Sequence, residues 1–204
     1  MENKETLLKK LESKTRACTR CELVSTCVQV VPGEGDANAE IMFIGEGPGK
    51  NEDIQGRPFV GAAGKLLNQL IESINLKREN VYIANVVKCR PPNNRDPLPQ
   101  EVAACWSWLE KQIFLIKPKL IITLGRHSMH RFLPQGRISF DHGRPMRKPI
   151  KPTSLDLLSE PPFKIVFFPC YHPAAALYNG SLRETLFKDF RKIPKILELI
   201  KAGK

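Results

Sequence analysis

Four short apolar runs limit what this chain can become: Glu40–Gly45 (EIMFIG), Val81–Lys88 (VYIANVVK), Leu120–Gly125 (LIITLG) and Lys164–Cys170 (KIVFFPC). Each is nearly unbroken in hydrophobicity, as a strand must be when helices cover both its faces. The stretches between them have helical spacing. Leu66, Leu67, Leu70, Ile71 and Ile74 recur on one face of a helix predicted over 62–74. Another is predicted from Pro99 to Ile116, where the proline suits a first turn that needs no amide donor. Shorter helices are predicted over 4–16 and 126–133, and a basic one over 183–201, broken near Pro194. Strands alternating with helices imply an α/β fold. The expected form is a three-layer α/β/α sandwich around a central four-stranded, mostly parallel sheet with right-handed crossovers. Residues 1–204 read as a single domain, with 1–39 supplying an N-terminal helix and a cysteine-containing loop. The Pro-rich, basic stretch 136–160 reads as a surface excursion with a short hairpin.

Such sheets bind ligands beyond the carboxyl ends of their strands, where strand order reverses. The loops Gly45–Phe59, Asn85–Arg95 and His172–Pro173 all follow strand ends, so they are expected to converge. The first, Gly45-Glu46-Gly47-Pro48-Gly49-Lys50-Asn51-Glu52-Asp53, is not a phosphate loop. Walker A needs Gly and Ser or Thr where this chain has Ile44 and Asn51, and three carboxylates would repel a pyrophosphate. Its glycines permit tight turns and close backbone approach. Phe59, between glycines, either plugs the core or offers its face to a planar ring. Asn85 interrupts an apolar strand, so its carboxamide is either tied to local backbone or reads the edge of a base. His172, before a helix-starting proline, is either a local cap or a donor to a developing anion.

Charge and cysteines narrow the partners. Lys and Arg outnumber Asp and Glu by 32 to 21, a formal net charge of +11, which suits a polyanion such as nucleic acid. The N-terminus lacks an apolar signal core and no apolar run is long enough for a bilayer, so a cytoplasmic protein without membrane contact is expected. In a reducing compartment, Cys18-x2-Cys21 with Cys89-x15-Cys105 suggests a metal centre rather than disulfides. Four thiolates suit zinc or a 4Fe–4S cluster, although the wide second pair is less typical of zinc. Cys27 and Cys170 are left over.

Taken in order, Cys18-x2-Cys21, Val30–Leu67, Val81–Cys105 and Tyr171–Leu177 (YHPAAAL) make the chain resemble the family 4 uracil-DNA glycosylases. The resemblance implies a DNA repair enzyme that flips uracil from single- or double-stranded DNA and hydrolyses its N-glycosidic bond. It would leave an abasic site, have no lyase activity and act as a monomer. It also implies a 4Fe–4S cluster on Cys18, Cys21, Cys89 and Cys105. By the same resemblance Phe59 stacks on the base, Asn85 reads its N3–H and O4 edge, and Glu52 walls off the C5 side. Glu46 and Gly47 bind through backbone amides, and His172 donates to O2. Gly47 stands where another branch carries a water-positioning Asp, which leaves Glu46 or Asn85 to orient the water. Leu177 resembles a wedge that enters the duplex. Arg183 and Arg95, with Lys88, Arg90, Arg126, Lys188 and Arg191, are expected at phosphates. A related branch traps the sugar on a His within Lys-Arg-Arg-Ile-His. Here Arg137–Arg144 holds His142 without that pattern, which implies ordinary turnover.

Overall fold

The computed structural model describes residues 2–203. It contains helices α1 (Lys4–Arg16), α2 (Lys50–Gln55), α3 (Ala62–Glu72), α4 (Pro99–Ile116), α5 (Arg126–Phe132), α6 (Ile138–Asp141), α7 (Pro173–Ala176), α8 (Gly180–Phe190) and α9 (Ile193–Lys201). Its strands are β1 (Glu34–Gly35), β2 (Ile41–Gly45), β3 (Tyr82–Asn85), β4 (Leu120–Leu124), β5 (Met146–Ile150) and β6 (Phe163–Cys170).

The strands form one six-stranded sheet in the order β1-β3-β2-β4-β6-β5. The predicted four are its parallel centre, with β3 and β4 on either side of β2 and β6 beyond β4. The expected strand count is corrected by two antiparallel edges, β1 against β3 and β5 against β6. Both were illegible as strands because they are short or polar. β1 has only two residues, and β5 reads MRKPI, with a proline that only an edge tolerates. The hairpin expected within 136–160 is corrected: that stretch supplies one strand, β5, which pairs with β6 beyond it and extends the sheet.

Alternation along the strands sorts their side chains into two cores. Met42, Ile44, Tyr82, Ala84, Ile121 and Phe167 face α1, α4 and α5. Ile41, Phe43, Val81, Ile83, Ile122 and Phe168 face α3, α8 and α9. Phe43 stacks on Phe190 of α8, with ring centroids 5.7 Å apart. Near Pro194 the predicted last helix divides into α8 and α9, and α8 starts at Gly180, capped by the Asn179 side chain accepting from the Leu182 amide.

The N-terminal segment is tied to this sandwich through polar contacts. Asp53 of α2 is buried, and one of its oxygens accepts from the backbone amides of Val28 and Gln29. The Val31 amide donates to the Lys88 carbonyl beyond β3 at 2.7 Å. The cysteine-containing loop is thus pinned beside the carboxyl ends of β2 and β3.

Candidate active site

Order reverses around β2, since the chain passes from β2 to β3 on one side and then to β4 on the other. A cavity of about 350 Å³ opens there, lined by Glu46, Gly47, Glu52, Phe59, Asn85 and His172 among others. The three separated sequence loops therefore meet at one place. Arg95, Asn94 and Ala174 stand at the same wall.

Backbone register sets the floor. Gly45 pairs with Asn85 across β2 and β3. A Cβ on Gly45 would come within 2.4 Å of Asn85 Oδ1 and 2.7 Å of the Phe59 ring. Only a glycine lets the carboxamide and the ring approach this closely. Asn85 is 2% exposed, and its Oδ1 is buried without a hydrogen-bond partner. An orphaned buried acceptor costs about 1–3 kcal/mol, so a position like this calls for a donor from a ligand.

Phe59 is buried with φ 50°, a left-handed conformation that costs a bulky residue about 1–3 kcal/mol. Two devices hold it. Glu52 Oε1 accepts from the amides of Val60 and Gly61, both at 2.8 Å. The Arg78 guanidinium donates to the Phe59 carbonyl at 3.2 Å and is itself paired with Glu34 at 2.7 Å. The Phe59 ring consequently lies across from His172, with centroids 5.7 Å apart.

His172 caps α7: its Nδ1 accepts from the Ala174 amide at 3.1 Å. That bond places the ring proton on Nε2. Burial in the cavity wall lowers its pKa to about 4, against a smaller opposing pull from Glu52, so the ring is neutral at pH 7. Glu46 is half-buried, and burial, reinforced by Asp96, raises its pKa to about 7 while Arg126 opposes the rise.

The basic residues divide. Lys88 is corrected: at 1% exposure it cannot meet a phosphate. Its Nζ donates to the Asn85 carbonyl at 2.9 Å and to Gln112 Oε1 at 2.8 Å, so it fixes the end of β3 from within. Burial holds its pKa down to about 8. Arg95 stands at the cavity wall, donating to both oxygens of Glu101. Arg126 is exposed beside Asp96, and Arg90 donates to Asn94. Arg183, Lys188 and Arg191 share one groove along α8, where Arg183 donates to Gln69 at 2.9 Å. Leu177 packs against the α3 and α8 core, while its neighbour Tyr178 is 94% exposed. His142 is held 2.6 Å from Asp189 and lies tilted against the Tyr171 ring, away from the cavity wall.

Cys18, Cys21, Cys89 and Cys105 line a second, small cavity behind β3. Sulfur-directed donors surround it: Trp108 Nε1 donates to Cys18 Sγ at 3.1 Å and the Lys88 amide to Cys105 Sγ at 3.2 Å. Burial pushes the Cys105 thiol up to about 11 and the Cys89 thiol higher still. Thiols so placed become thiolates only beside a compensating cation, and a coordinated metal supplies one. Cys27 lies off this cavity, and Cys170 is wholly buried in β6.

Comparison with known proteins agrees with this geometry. The family model for the uracil DNA glycosylase superfamily matches residues 32–197. The chain belongs to that superfamily. A type-4 uracil-DNA glycosylase of Sulfurisphaera tokodaii is 48% identical over 190 residues, covering 93% of this chain and 84% of the relative. One from Thermotoga maritima is 38% identical over 200 residues, covering 97% and 98%. A type-5 uracil-DNA glycosylase of Thermus thermophilus is 33% identical over 118 residues, about half of each chain (50% and 53%). As a superfamily member of the type-4 branch, the protein brings together every base-contact residue expected from its sequence. Sequence reasoning missed the parts that hold them: Arg78 and Glu34 behind Phe59, Lys88 and Gln112 behind Asn85, and the Asp96–His127 pair beside Glu46. None has a local signal, because each acts through a contact between distant segments.

Proposed function

We propose that the protein is a monofunctional uracil-DNA glycosylase that acts as a single-domain monomer on single- or double-stranded DNA. The observation carrying this reading is the unpartnered, buried Asn85 Oδ1 in a cavity that also holds the Phe59 ring and a neutral imidazole. Uracil completes that wall. Its N3–H satisfies Oδ1, its O4 accepts from the carboxamide NH2, and its flat face lies on Phe59. Cytosine brings an acceptor at N3, which would meet Oδ1 lone pair to lone pair. Glu52, held by the Val60 and Gly61 amides, would wall off the C5 side against a thymine methyl.

A stacked base is out of reach, so the nucleotide must swing out of the helix before its bond is cleaved. As the glycosidic bond breaks, negative charge spreads onto O2 and O4 and the sugar becomes oxocarbenium-like. His172 Nε2–H donates to O2 most strongly when that charge is greatest, which lowers the barrier rather than merely binding substrate. A neutral imidazole with a low pKa keeps its proton and stabilises the anion by hydrogen bonding. Glu46 orients the water that captures the sugar. The described cavity wall carries no lysine amine, so strand cleavage through an imine has no nucleophile.

The four-thiol cavity fits a 4Fe–4S cluster, held by Cys18, Cys21, Cys89 and Cys105. When bound, the cluster supplies a covalent brace and the positive charge that keeps those sulfurs ionised. Arg95 and Arg126 near the mouth, with Arg183, Lys188 and Arg191 on α8, would meet phosphates on either side of the extruded nucleotide.

The test is incubation with a labelled oligonucleotide containing one uracil, followed by alkaline cleavage. Breakage at uracil is expected, with none at thymine or cytosine controls and none before alkali. An intact uracil strand would refute the proposal.

A further inference from the structure

One group of titratable side chains flanks the cavity without touching a base in the reading above. His127 Nε2 lies 3.2 Å from Asp96 Oδ2 and 3.9 Å from Glu46 Oε2. One ligand-type atom from each residue falls within 4.8 Å of the other two. The three come from separate strand ends: Glu46 follows β2, Asp96 lies in the loop between β3 and α4, and His127 opens α5 after β4.

We propose that Asp96 is a positioning residue for Glu46, acting across His127 to set the pH at which the Glu46 carboxylate forms. The proposal rests on the glycosylase reading and on Glu46 as its water-orienting group. Two carboxyl groups this close do not ionise independently. Asp96 is exposed and faces Arg126, whose terminal nitrogen is 3.4 Å away. Glu46 is half-buried, so it takes up the proton. Burial also lowers the His127 pKa, and its Nε2 accepts from Arg126 Nε at 2.9 Å. That lowering weakens the positive charge the imidazole would otherwise set against the two carboxyl groups.

The other charged groups around Glu46 are engaged elsewhere. Arg95 is committed to Glu101, Glu52 to the Val60 and Gly61 amides, and His172 is neutral. Arg126 is the cation that faces the pair, and Asp96 the anion that outweighs it. With the carboxylate as the working form, excision falls about tenfold per pH unit below the Glu46 midpoint and levels off above it.

The experiment is single-turnover excision from a single-stranded uracil oligonucleotide at saturating enzyme, from pH 5 to 9. The native protein, Asp96→Asn and Glu46→Gln are compared, each normalised to its own rate at pH 9. Asp96→Asn should move the acid limb down by at least half a pH unit, giving about a threefold higher relative rate at pH 6. Glu46→Gln should abolish that limb. A limb unmoved in Asp96→Asn but lost in Glu46→Gln overturns the role of Asp96 alone. A limb that persists in Glu46→Gln overturns the assignment of Glu46 itself, and the proposal with it. Asp96 is exposed, so its substitution does not endanger the fold.

Discussion

Asn85 and His172 do opposite things with hydrogen bonds. Asn85 presents an acceptor with no partner from the protein, while His172 spends Nδ1 on its own helix so that Nε2 carries the proton. His172→Ala should therefore lower kcat by about 10²–10³-fold and change the Kd for uracil-containing DNA by much less. Comparable losses in both would reduce His172 to a binding residue. The residues that gather at the cavity were legible because each breaks the pattern around it: a carboxamide in an apolar strand, an aromatic between glycines, a histidine before a proline. Lys88 was not, since a lysine beside a cysteine and an arginine looks solvated. It is buried because Gln112 of α4 and the Asn85 carbonyl offer it acceptors that no local pattern reveals. Lys88→Met keeps the volume but frees that carbonyl. It should weaken uracil excision at least about tenfold and also lower Tm, since it orphans two buried acceptors, the Asn85 carbonyl and Gln112 Oε1. Unchanged excision by a folded variant would deny Lys88 any hold on Asn85.

Among the elements, the turn joining α7 to α8 departs most from expectation. Leu177 was read as the wedge; it is half-buried against the α3 and α8 core, whereas Tyr178 beside it projects fully. The turn leads into α8 through the Asn179 cap, and the Tyr178 ring is exposed just before it. An aromatic face stacks on any base, with about 1–3 kcal/mol at stake. Tyr178→Ala should slow excision from duplex DNA about tenfold and from single strands hardly at all, because only a duplex leaves a gap to fill. Leu177→Ala should instead lower Tm. An equal slowing on both substrates would return the wedge to another residue. The central strands and α4 were legible because long apolar runs and a proline start are strong signals. The edge strands were not, because pairing with β3 and β6 rather than composition makes them strands.

For the molecule as a whole, parallel topology gathers the chemistry at one end of the sheet, and the +11 charge supplies a long-range pull toward DNA. Binding to a uracil-containing duplex should weaken steeply with salt, and a flat response would give the charge another purpose. Anaerobic preparations should be brown and carry about four irons per chain, whereas stoichiometric zinc would defeat the cluster assignment. The thiol spacing was legible, but its donors were not, because Trp108 and the Lys88 amide meet the sulfurs only after α4 packs beside β3. The empty acceptor at Asn85 has one more consequence. In the proposed reading, the liberated pyrimidine offers that oxygen the same N3–H donor as the intact nucleotide did. The product is thus a competitor by construction, and turnover slows as it accumulates unless something carries it away.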